Sequence, residues 1–138
     1  VAVLSSGRAI VTSSSGVFGI SPPPELALES IWTGGNSTFG LRLSRDGTLA
    51  YVTDIFDDDL RVIDVATGVV VAGPIAVGEV PVDVALSLDE TVAYVTSEVS
   101  DAIHVVDLNA RRSVATIDVG SGSRSLTIVE VPVAGEVP

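Results

Sequence analysis

The chain has 138 residues, 46 % hydrophobic and only 4 % aromatic, with 13 Gly, 7 Pro, no Cys and no Met. That is the length of one domain with enough apolar material for a core, and its Val, Ala, Leu and Ile content favours sheet. A net charge of −11 sets the surface against nucleic acid and anionic lipid, the missing thiols exclude disulfides and thiolate metal sites, and no run reaches the ~20 apolar residues of a membrane-spanning helix.

The chain opens on Val1-Ala2-Val3-Leu4, without Met or a basic leader, so its natural start is expected upstream and the chain is expected to be a fragment or processed form. Val1 to Ser5 reads as a first, innermost strand, and Gly7-Arg8-Ala9-Ile10-Val11-Thr12 as a second. Val17 to Ile20 is the third and Leu26 to Thr33 the fourth, with Pro22-Pro23-Pro24 in place of an ordinary turn.

From Gly35 the sequence repeats itself with a period of 43 residues. Ser44 falls on Ser87, Asp46 on Asp89, Ala50-Tyr51-Val52-Thr53 on Ala93-Tyr94-Val95-Thr96, and Val62-Ile63-Asp64 on Val105-Val106-Asp107. Within the first good copy, strands are expected at 39–44, 48–54, 60–65 and 69–77. Arg45-Asp46-Gly47, Asp57-Asp58-Asp59 and Ala66-Thr67-Gly68 supply the turns between them. Gly73-Pro74 interrupts the fourth, which is tolerable only at a sheet edge or bulge. The second copy predicts strands at 82–87, 91–97, 102–108 and 113–119. Trp32 and Phe39 flank the first good copy and are expected in the core between units. Ser125 to Val131 begins a fourth copy, and 132–138 reads as a linker or tail.

Tandem four-stranded antiparallel units of this length are the pattern of β-propeller blades, and continuous apolar runs such as Leu49-Ala50-Tyr51-Val52 suit strands covered on both faces. Helical solenoids would need a 3.6-residue period, which is absent. The predicted fold is therefore all-β: about three blades of a larger ring, at residues 1–34, 35–77 and 78–120, with the start of another at 121–131.

Tyr51-Val52-Thr53-Asp54 and Tyr94-Val95-Thr96-Ser97 resemble the Tyr-Val-Thr-Asn motif of the YVTN family of propeller repeats. Ser44-Arg45-Asp46-Gly47, Val62-Ile63-Asp64 and Gly78-Glu79-Val80-Pro81 resemble its flanking phrases. The likeness covers about residues 35–128; neither motif ends in Asn, and Asp89-Glu90 stands for Asp-Gly in the second good copy. It implies a propeller, often of seven blades, in a secreted, periplasmic or cell-surface protein. Relatives of this kind include surface-layer components, haem-protein partners and lactonase-like enzymes, so no single activity is implied.

Three groups of residues invite a chemical reading. Asp57-Asp58-Asp59 offers clustered oxygens to a hard cation, but alternate side chains point to opposite sides, so at most two could converge. Only the middle carboxylate recurs, at Asp101, and a solvated hairpin tip is expected. Asp64 and Asp107 recur at the end of the third strand, where a carboxylate accepts bonds from the amides of its own turn. His104, the one histidine, aligns with Arg61 and has no second His beside it, which points to a surface or groove position. Ser13-Ser14-Ser15 and Ser121-Gly122-Ser123 read as turns, without a nucleophile elbow. No catalytic, cofactor-binding or metal-binding residue is therefore assigned, and no cofactor is expected. The expected function is a non-enzymatic, rigid binding or assembly module outside the cytoplasm, its ring completed by the same longer polypeptide or a companion chain, with a protein partner. Two alternatives stand beside it: an enzyme or electron-transfer propeller whose active site lies on blades outside this chain, and a surface-layer repeat.

Overall fold

In a computed structural model that describes residues 1–128, these residues form strands and turns with no helix. The first sheet joins β1 (Ala2–Val3), β2 (Ala9–Ser13), β3 (Gly16–Ile20) and β4 (Leu28–Thr33). The second joins β5 (Thr38–Leu43), β6 (Leu49–Asp54), β7 (Asp59–Asp64) and β8 (Val70–Ala76). The third joins β9 (Pro81–Leu86), β10 (Val92–Ser97), β11 (Ala102–Asp107) and β12 (Arg112–Asp118). Every pairing is antiparallel between consecutive strands, and successive sheets meet mainly through their first and second strands. This is the architecture of three propeller blades.

The period-2 alternation of each strand divides its side chains between two neighbours. In the middle blade, Ala50, Val52, Ile63 and Val65 pack with Ile10 and Val17 of the first. Tyr51, Leu60, Val62 and Ile75 turn the other way, to Val84, Ala93, Val95 and Val106 of the third. The middle sheet is thus covered on both faces, as its apolar runs anticipate.

The turn between the first and second strands is built identically in the two good copies. Asp46 accepts bonds from the Ser44 hydroxyl (2.7 Å), the Thr48 amide (3.0 Å) and the Thr48 hydroxyl (2.8 Å). Asp89 does the same with Ser87 (2.7 Å) and with Thr91 (3.1 and 2.8 Å). Gly47 sits at φ 73°, and Glu90, where the repeat would have Gly, holds the same left-handed conformation at φ 57°.

Observed strands lie within one residue of the eight predicted in the two good copies. The first copy is shorter than expected at both edges: β1 keeps only Ala2–Val3 and β4 begins at Leu28. Gly73-Pro74 lies in β8, the outer strand, beside register irregularities at Leu60–Ile63. Two expectations are corrected. Phe39 is not core but 58 % exposed, because the β5–β6 pairing slips between Thr38 and Leu41 and turns it out of the sheet. Asp59 is not at a solvated hairpin tip; it opens β7 and is 5 % exposed. Ser125 to Ile128 carries no strand pairing, and the rest of the expected fourth copy and the tail lie outside the described residues.

Candidate functional site

The polar residues gather at the blade end formed by the loop after each outer strand and the loop between the second and third strands. Between the first and second blades, Asp54 is 1 % exposed. It accepts backbone amides of Asn36 (2.8 Å), Ser37 (3.1 Å), Phe56 (3.1 Å) and Asp57 (3.0 Å). Burial raises the pKa of this carboxyl, but the amides of Asp57, Ser37, Phe56 and Asn36 outweigh it and hold the group below its ordinary value. One side chain thereby ties two loops together.

Arg61 lies beside it, bonded to Asp57 (2.8 Å) and Asp59 (2.7 Å) and stacked 5.4 Å from the centre of the Trp32 ring. Asp57 also accepts from the Asn36 side chain. Burial pushes the Asp59 carboxyl above its ordinary value despite Arg61, and its Oδ1 is buried without a partner among the described residues. Asp58, at φ 57°, turns away to accept the Val80 amide (2.9 Å) of the next loop. Asp57 and Asp59 therefore converge on Arg61, while Asp58 serves the neighbouring loop. Among the described residues no three metal-ligating side chains converge.

His104 occupies the corresponding position between the second and third blades. It packs against Gly78, where an added Cβ would collide with Nε2 and with the Ser100 hydroxyl oxygen. Burial lowers its pKa, and Nε2 is buried without a partner. Ser100 accepts the Glu79 amide at 2.7 Å, and no hydrogen bond joins its hydroxyl to His104 among the described residues. Asp64 accepts the amides of Ala66 (2.9 Å) and Thr67 (2.8 Å), and Asp107 those of Asn109 (2.9 Å) and Ala110 (2.8 Å). These two are turn residues, as expected.

At the opposite blade end, a cavity of about 300 Å³ lies where the ends of β5 and β9 converge, with Arg42 and Arg45 in its wall. The sequence reading passed over this pair and over Asp54. Asp54 was visible as the departure from Asn at the fourth motif position, with Ser97 at the equivalent place; Arg42 carries no motif, and Arg45 stands out in the sequence only as part of the Ser44-Arg45-Asp46-Gly47 turn.

No family model matches the chain, and no curated protein does. Solved structures do. The chain is similar to Kuenenia stuttgartiensis hydrazine synthase at 21 % identity and TM-score 0.77, over 88 % of this chain and 36 % of that one. It is similar to the periplasmic gluconolactonase PpgL of Pseudomonas aeruginosa at 23 % identity and TM-score 0.68, over 92 % and 44 %. A chain of the mitotic checkpoint complex matches at 15 % identity and TM-score 0.67, over 84 % and 37 %. At these identities the likeness shows the propeller fold. The chain spans less than half the length of each of these structures.

Proposed function

We propose that this chain is a YVTN-type propeller segment, a rigid binding or assembly module of an extracytoplasmic protein, whose ring is completed by further blades of a longer polypeptide or a companion chain. The carrying observation is the outward face of the third sheet. Tyr94, Ile103, Val105 and Ala115 repeat Tyr51, Leu60, Val62 and Ala72, the set that the middle blade turns to its neighbour. The described residues leave this face incompletely covered: Ile117, paired with Ile103, is 47 % exposed. The Thr96 hydroxyl stands at the place of Thr12, which donates to Phe39 of the next blade (2.8 Å), and of Thr53, which accepts the Gly40 amide of its own blade (2.8 Å); it is buried with no partner among the described residues. An inner strand of a further blade would supply that acceptor.

Exposed contiguous apolar faces favour association, and propellers close at about 4–8 blades. The periplasmic place of one structural neighbour supports the compartment. Light scattering on the isolated chain tests the reading: association, relieved by Val105→Arg and Ile117→Lys on the outward face, is the expected result. A stable, cooperatively unfolding monomer of 14.1 kDa would overturn it.

A further inference from the structure

We propose that the cavity between the ends of the inner strands of the second and third blades binds a small organic carboxylate with an apolar body. The inference stands on this cavity alone and is independent of how the ring is completed.

Charge singles out the place. The chain carries −11 overall, and Arg8, Arg61 and Arg124 are each neutralised by a carboxylate at 2.6–2.8 Å. Arg111 and Arg112, also without an ion pair among the described residues, stand exposed where β12 begins and line no cavity with a second cation. Arg42 and Arg45 form no ion pair among the described residues. Each reaches across to the third blade and donates to a backbone carbonyl: Arg42 Nε to Val84 (3.4 Å) and Arg45 to Leu88 (2.8 Å). A guanidinium has five N–H donors in a planar fork, so most of this donor capacity is unspent in both. Two such groups in one cavity wall are suited to a carboxylate, which accepts two parallel N–H bonds.

Size and the remaining walls narrow the class. About 300 Å³ is the lower end of the range for small-molecule pockets, about 300–1,000 Å³, so the ligand is small. Leu43, Leu86, Leu88 and Ile128 supply much of the lining, which disfavours a fully hydrated inorganic anion. Glu90 also lines the cavity, its Oε1 accepting the Arg45 amide at 2.5 Å. Two positive groups and one negative leave room for a single negative charge. The third wall comes from Thr127 and Ile128, held in place where the Leu126 amide donates to Asp83 (2.9 Å). The cavity is thus bounded by the ends of β5 and β9 and by the segment that follows the third blade.

Titration of the full chain with hexanoate, followed by the backbone amide signals of Leu86, Leu88 and Thr127, tests the proposal, with hexanamide and inorganic phosphate as comparison probes. Hexanoate is expected to give saturable shifts at these amides, roughly tenfold weaker binding in Arg42→Gln, and several-fold tighter binding in Glu90→Gln, in line with charge-assisted bonds and one nearby like charge. Hexanamide should not bind. Equal binding of hexanamide would reduce the site to an apolar crevice, and equal binding of phosphate would remove the apolar body from the ligand; either overturns the proposal. Unchanged hexanoate affinity in Arg42→Gln overturns it too. Should that variant fail to fold, Arg45→Gln, altered at an exposed side chain, is read in its place.

Discussion

At the scale of single residues, aspartates carry a large share of the local order. Asp64 and Asp107 each collect two amides of the turn that follows, so Asp64→Ala and Asp107→Ala should each lower unfolding free energy by about 1 kcal/mol, the usual worth of a local side-chain cap. Urea denaturation measures this directly, and Asn at either position should retain part of the effect. Asp54, whose place in the next copy is taken by Ser97, does more, because four amides from two loops converge on a buried group. Asp54→Ala should cost about 2–3 kcal/mol through stranded donors, whereas Asp54→Asn keeps an acceptor and should cost less. Its folded-state pKa lies below the ordinary value of 3.8, so its stabilisation is complete above pH 3.8 and is lost as pH falls through the folded pKa. His104 adds an acid effect at higher pH. Burial holds its pKa below 6.5 in the folded chain, so the unfolded chain binds more protons just below that pH. Stability should fall as pH drops from about 6.5 through the folded pKa, and His104→Gln should flatten that part of the profile.

At the scale of strands and sheets, equivalent positions are equal in place but not in worth. Tyr51 and Tyr94 occupy the same site on β6 and β10, but Tyr51 is 5 % exposed beneath the third blade while Tyr94 is only half-buried. Truncating a buried aromatic costs about 3–5 kcal/mol. Tyr51→Ala should approach that range and Tyr94→Ala should fall well short of it, a difference that chemical denaturation of the two variants will show. Strand positions were legible in the sequence because side-chain alternation and turn chemistry recur at a fixed period, so each copy corroborates the other. Phe39 was misread because a bulge, which slips the register, leaves no mark in a hydrophobicity pattern. Asp59 was misread because its burial and its bond to Arg61 follow from the packing of the folded blade, not from the turn chemistry of its neighbours in sequence. The same limit hid the Arg42–Arg45 cavity, whose walls come from three separate stretches of chain. Local chemistry such as that of Asp64 and Asp107 could be read ahead; groups assembled across blades could not.

At the scale of the whole molecule, blades interact only with their neighbours, so stability should be distributed along the row rather than shared evenly. The middle sheet has both faces packed, by Ile10 and Val17 on one side and by Val84, Ala93 and Val95 on the other. Each terminal sheet has one packed face, and the outer strands β4 and β12 are largely exposed along their length. Opening a terminal blade breaks one interface, whereas opening the middle blade breaks both. Amide hydrogen exchange should therefore rank β6 and β7 as the most protected strands, β2, β3, β10 and β11 as intermediate, and β4 and β12 as fastest. The outward face of the third blade gives the ranking a directional test. If a further blade docks there, β10 and β11 should rise to the protection of β6 and β7 while β2 and β3 stay unchanged. Uniform protection across all three sheets in the isolated chain would mean that the row opens as one cooperative unit, and the nearest-neighbour account of its stability would fail.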